Sequence, residues 1–147
     1  MHRSFRHGLT RLFKKKDTAM LYEDLSKKIV HAAHLVHDEL KFGFLEAVYG
    51  NALYKELSRM GLKCECQKPL DVYYKGDKVG HYVADMVVED KIIIELKAVT
   101  DLRPEHEWQL INYLAATHME LGLLINFGRS VKVRRKILTK EGQTDEE

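Results

Sequence analysis

Glu95 and Lys97 stand two apart in the run Lys91-Ile-Ile-Ile-Glu-Leu-Lys97. An acid there can bind a hard cation while the neighbouring amine handles a water or a phosphate. The β-branched residues make the run a strand. Side chains alternate along a strand, so Ile93, Glu95 and Lys97 face one way and Ile92, Ile94 and Leu96 the other. Charged groups on a covered strand need partners or a metal. Upstream, His81-Tyr-Val-Ala-Asp-Met-Val-Val88 is also strand-like, with Asp85 expected on the face of Val83 and Val87. If Glu89-Asp90-Lys91 is a three-residue loop, Val88 pairs with Ile92 and Asp85 lies opposite Glu95. A two-residue loop would set Asp85 opposite Ile94 or Leu96 and split the carboxylates between faces. Directly paired residues have Cβ atoms roughly 4.5–5.5 Å apart, where two carboxylates repel unless a cation lies between them. Mg²⁺ or Mn²⁺ suits such an all-oxygen site, completed by waters and a substrate phosphate.

These strands need helices to cover them. An apolar stripe of Leu25, Ile29, Ala32, Ala33, Val36 and Leu40 predicts a helix over 22–40, broken by Gly43. A second helix over 45–60 carries Tyr49, Leu53, Leu57 and Met60 on its buried face and stops at Gly61. Glu46 continues that face one turn before Tyr49, as an acid favoured at a helix start or as a functional group. Strands are expected at 62–67, 70–74, 78–88, 91–98, 121–127 and 131–138, with a turn at Lys75-Gly76-Asp77. Pro104 opens a third helix to about His118. Gln109 and Tyr113 share a face of it, with His106 one turn earlier. Core packing is favoured for Trp108 over stacking on a base.

The arrangement Asp85…Glu95-x-Lys97 resembles the active site of the PD-(D/E)XK nuclease superfamily. Gly43-Phe-Leu-Glu46-Ala-Val-Tyr49 matches the G-x-x-E-x-x-Y signature of the GxxExxY protein family, a branch of that superfamily. Gln109-Leu-Ile-Asn-Tyr113 matches its Q-x-x-x-Y element. The motifs come in the expected order over about residues 22–137, and only Ala84 departs, standing where the superfamily name has Pro. The resemblance implies an α/β fold with a restriction-endonuclease-like core, a mixed central sheet flanked by helices. It implies a Mg²⁺- or Mn²⁺-dependent nuclease acting on nucleic acid, DNA favoured over RNA, and leaving a 5′-phosphate and a 3′-hydroxyl. Asp85, Glu95 and the Leu96 carbonyl would ligate the metal, and Glu46 would join through water or a second ion. Lys97 would orient the attacking water or stabilise charge on the phosphate. Gln109 would position Lys97, a water or a phosphate oxygen, supported by Tyr113. Arg134 and Arg135 are candidate substrate contacts, as is His106, for which a plain surface role is favoured.

Blander readings stand beside these. Glu95 and Lys97 would be an exposed pair if their strand lay at an edge, but the Ile run argues for a covered one. His31, His34 and His37 share a helix face without an acid partner set, so a surface role is favoured over zinc. The alternative function is a nuclease-fold module with little turnover that binds nucleic acid or a protein partner. A homodimer or protein partner stays open.

Length and composition fit one globular domain. No apolar run is long enough to span a membrane, and the expected location is cytoplasmic. Six of the 24 Lys and Arg lie in residues 1–16, which hold no acid. The other 18 face 22 acids, a net charge of −4, so nucleic-acid affinity must come from local patches. One is the arm at 1–20, read as flexible, although Phe5, Leu9, Leu12 and Phe13 also suit a short amphipathic helix. Another is Lys132, Arg134, Arg135 and Lys136. The nuclease-like domain is expected at 21–138, and 139–147 is read as an acidic disordered tail. Cys64 and Cys66, the two cysteines, share one side of a strand and read as reduced thiols.

Overall fold

The computed structural model describes residues 22–138 and the strand at 144–146. The basic arm at 1–20 lies outside the described residues, as do 139–143 and Glu147. Helix α1 spans Glu23–Leu40 and buries Ile29, Ala32, Ala33 and Val36, the stripe expected from its spacing. Helix α2 spans Glu46–Arg59 and buries Tyr49, Leu53 and Leu57. The chain then turns at Gly61, where φ is 81°.

Strand β1 runs Cys64–Tyr74 without a break. Separate strands are expected from the sequence at 62–67 and 70–74, but the span between them, with Pro69 and its missing N–H, continues the strand. The sheet order is β1 to β6 in sequence, so β1 is an edge, where a missing donor costs little. A two-residue turn at Lys75 (φ 49°) and Gly76 (φ 84°) leads into β2, Asp77–Val88. Glu89 and Asp90 both take positive φ, and the Lys91 N–H closes the loop on the Val88 carbonyl at 3.0 Å. Strand β3, Ile92–Lys97, then pairs antiparallel with β2, matching Val88 with Ile92, Val87 with Ile93 and Met86 with Ile94. That is the register of the three-residue loop.

Helix α3, Pro104–Thr117, carries the chain over to β4, Leu121–Phe127, which runs parallel to β3. Strand β5, Val131–Leu138, returns antiparallel to β4. Within the tail read as disordered, Thr144–Glu146 forms a short strand, β6, paired with β5. The result is an α/β fold with a mixed sheet between helical layers, consistent with a restriction-endonuclease-like core.

One core lies between the sheet and α1 with α2, and includes Met86, Val88, Ile92, Ile94, Leu96 and Phe127. The other lies under α3 and includes Tyr82, Ala84, Val87, Ile93, Leu110 and Leu124. Strand β3 is buried on both faces between β2 and β4, so it is no edge strand. Among the described residues, no helix is long and apolar enough to cross a membrane.

Candidate active site

The site forms where the sheet loses its regular ladder. The β2–β3 pairing ends at Met86 and Ile94, one step before Asp85 and Glu95. On the other side, β1 and β2 pair regularly at Cys66–Met86 and Lys68–Ala84 but skip Gln67 and Asp85, and Gln67 has φ 50°. The alternation of β2 inverts across this point. Met86 and Val88 pack under α1 and α2, whereas Ala84 and Tyr82 pack under α3 together with Val87. The expectation that Asp85 simply shares a face with Val83 and Val87 is therefore corrected: an unbroken pleat would put Tyr82 on the opposite side from Val87.

Side chains replace the missing ladder bonds. The Asp85 carboxylate accepts the Leu96 N–H at 2.8 Å, and the Glu95 carboxylate accepts the Asp85 N–H at 3.3 Å. Glu95 also accepts the Tyr82 hydroxyl hydrogen. Burial first, and then the charge of Asp85, push the Glu95 carboxyl up to about 7, while the Tyr82 hydrogen bond and nearby Lys97 pull it the other way. Tyr82 holds its proton far above the ordinary phenol range, through burial and then the charge of Glu95.

Asp85 also lines a cavity of about 410 Å³ with Glu46, Gly50, Cys66, Gln67 and Leu96. Gly50 explains how α2 comes so close, since a Cβ there would lie 3.2 Å from a Leu96 methyl. The segment before α2 fits its glycine-acid-tyrosine spacing. Gly43 has φ 115°, which favours glycine. Tyr49 is fully buried, stacks on Phe127 at 4.6 Å, donates its hydroxyl to the Lys41 carbonyl and accepts the Phe44 N–H at 3.3 Å. Glu46 is thereby presented, exposed, in the first turn of α2.

The three acids do not gather in one cluster as expected. Glu46 and Asp85 share the cavity, but Glu95 is not among its lining residues and is held by Tyr82. Among the described residues, no three of His, Cys, Asp and Glu stand close enough to hold a metal ion. The donor set still suits a hard divalent cation. It is all oxygen, and it contains a half-buried acid whose ionisation a cation would favour. Waters and a substrate phosphate would complete the shell.

On α3, exposed Gln109 donates its amide to the Tyr113 hydroxyl at 3.1 Å. Tyr113 stacks on Tyr82, with ring centroids 3.5 Å apart. A chain of contacts thus runs from Gln109 through both tyrosines to Glu95. Tyr82 is the residue that sequence reasoning missed, because regular alternation assigns it to the wrong face.

Other candidates have more ordinary surroundings. His106 accepts the Arg103 N–H at 3.1 Å and so caps α3. Trp108 is 64% exposed, which corrects the expectation of core packing. Lys136 is buried and pairs with Glu107 at 2.6 Å, so it is removed from the basic surface patch. Arg134 reaches the same Glu107 at 3.9 Å, and Arg135 is half-buried. His37 reaches the Gly128 carbonyl at 2.8 Å, while His31 and His34 are exposed. Both cysteines are free thiols. Burial pushes Cys64 up to about 11 and raises Cys66, so neither is an activated nucleophile.

The model of a protein family described as the PD-(D/E)XK nuclease superfamily matches residues 23–137. No curated protein and no solved structure matches the chain.

Proposed function

Because this chain belongs to the PD-(D/E)XK nuclease superfamily, we propose that it hydrolyses phosphodiester bonds of DNA with the help of Mg²⁺ or Mn²⁺, as a member of the GxxExxY branch. The observation that carries this reading is the exchange between Asp85 and Glu95, each carboxylate taking a backbone N–H from the other strand where the ladder stops. Such an exchange holds two acids together without regular pairing and leaves oxygen lone pairs for an ion.

Asp85 and Glu95, with the Leu96 carbonyl, are the residues that would hold the cation. Glu46 faces the same cavity as Asp85 and joins through water or a second ion. The bound cation would polarise the scissile phosphate and acidify a water beside it. Lys97 orients that water and stabilises charge developing on the phosphate. Tyr82 holds the Glu95 carboxylate until it is used, and the stack with Tyr113 fixes Tyr82 in turn. Gln109 lies at the exposed end of this chain, where it can meet a phosphate oxygen. Arg134 and Arg135 on β5 are the candidate backbone contacts, and His106 serves the helix start before any substrate.

The test is a cleavage assay with Mg²⁺ or Mn²⁺ on circular and linear, single- and double-stranded DNA and RNA. Wild type is compared with Glu95→Gln and Lys97→Ala. Metal-dependent cutting lost in both variants supports the proposal, and nicking of circles makes the enzyme an endonuclease. No cutting of any substrate, with no metal binding by calorimetry, replaces it with a binding module of the same fold.

A further inference from the structure

A second cavity, of about 330 Å³, adjoins the proposed site and has a different chemistry. Its walls include Phe42, Phe44, Leu45, Val99, Phe127 and Arg129. It follows the first cavity along the same two elements. Leu45 precedes Glu46 at the start of α2, and the Ala98-Val99-Thr100 wall comes directly after Lys97.

Three neighbouring large apolar side chains are left open to solvent here. Phe42 is 52% exposed, Phe44 46% and Leu45 78%. The loop that carries them is pinned by Tyr49 at Lys41 and at Phe44, and the Phe44 ring meets Tyr49 edge-on at 6.1 Å. The Arg129 guanidinium lies 4.6 Å over the Phe42 ring. None of the lining residues is acidic. Aromatic faces, a cation and no carboxylate, held on a tethered loop, complement a flat ring attached to a phosphate chain.

We propose that this cavity receives an unpaired nucleobase of the substrate strand, next to the phosphate presented to Asp85, Glu95 and Lys97. A base within a duplex cannot offer its face to Phe42 and Phe44, so the substrate class is a single strand, or a strand end or bulge with a free base. The inference rests on the nuclease reading for the position of the phosphate, but its test does not need turnover.

Full-length protein is titrated, in EDTA, with a fluorescent single-stranded DNA oligonucleotide and with the matching duplex. A second single strand carries 2-aminopurine, whose emission falls on aromatic stacking. Phe42→Ala and Arg129→Ala are compared with wild type, with circular dichroism to verify folding. The expected result is quenching of 2-aminopurine on binding. Phe42→Ala should also weaken single-strand binding by roughly five- to a hundredfold, the range of a base–aromatic stack, and leave duplex binding unchanged, while Arg129→Ala should weaken single-strand binding more than duplex binding. Equal loss for both substrates, or no loss for either, overturns the base pocket; if cutting still depends on Glu95, the nuclease reading survives. A shift in sedimentation on substitution of Phe42, without a change in DNA affinity, also overturns it and assigns the cavity to a second copy of the chain. Failure of every oligonucleotide to bind also overturns the base pocket, while the nuclease reading is decided separately by metal-dependent cleavage and metal binding.

Discussion

Replacing Glu95 by glutamine should stabilise the metal-free protein, and the gain should depend on pH. Glu95 has its carboxyl raised from 4.5 to about 7, first by burial and then by Asp85. In the unfolded chain it ionises near the ordinary value. The folded state therefore holds more protons between these values, so the contribution of this group to stability is full below about 4.5 and is lost as pH rises through about 7. The interval corresponds to roughly 3 kcal/mol. An amide in the same place still accepts from Tyr82 and from the Asp85 N–H, carries no charge, and escapes that loss. Urea unfolding in EDTA at pH 5 and pH 8 measures it. Glu95→Gln minus wild type should be about 2–3 kcal/mol more favourable at pH 8 than at pH 5. Comparing the two pH values cancels any fixed packing difference between acid and amide. Parallel stability profiles for the two proteins would refute the argument that burial and Asp85 strain this acid. Added Mg²⁺ or Mn²⁺ should then stabilise wild type in proportion to its binding and leave the amide variant nearly unmoved.

Tyr82→Phe keeps the ring for Tyr113 and removes the hydrogen bond that lowers the Glu95 pKa, so the rise of cleavage with pH should move to higher pH, and an unmoved profile would count against the contact. Gly122→Ala places a Cβ 2.8 Å from a methyl of buried Leu110; an overpacking cost of about 1–3 kcal/mol is expected, read by urea unfolding, with a loss under 0.5 kcal/mol the contrary result. Glu107→Gln removes the carboxylate that meets buried Lys136 at 2.6 Å, and should cost up to about 3 kcal/mol, whereas removing the exposed Lys27–Glu23 pair should cost under about 1 kcal/mol.

The parts legible in the sequence are those governed by local rules. The charged segment Glu89-Asp90-Lys91 narrowed the β2–β3 register to a two- or a three-residue loop, and the structure takes the second. The stripes of α1 and α2 were legible as well, and β3 read as a covered strand from its isoleucines. The inversion at Asp85 was not legible. It depends on Gln67 taking φ 50° on a different strand and on both neighbours dropping a ladder pair at the same level. Every face assignment before Met86 then changes sign, which is why Tyr82 was overlooked. Lys136 read as part of a basic patch because its partner, Glu107, comes from a helix far away in sequence. Core packing was favoured for Trp108, yet α3 turns it outward and buries Leu110 and Leu114 instead.

The same break in the sheet bears on how the site should be dissected. Asp85 and Glu95 each satisfy a backbone N–H that a regular sheet would have satisfied for itself. Cutting either side chain to alanine therefore removes a candidate metal ligand and also strips a half-buried donor of its acceptor, a cost of about 1–3 kcal/mol in stability alone. Loss of activity in Asp85→Ala would not distinguish the two effects. Asp85→Asn separates them, because the amide oxygen still accepts the Leu96 N–H while the negative charge is gone. If the charge serves a cation, Asp85→Asn should be at least as resistant to urea as wild type in EDTA, since the charge that raises the Glu95 carboxyl is gone, and should lose the stabilisation that Mg²⁺ or Mn²⁺ confers. If Asp85 serves only the sheet, the asparagine protein should respond to metal as wild type does, and its cleavage should survive.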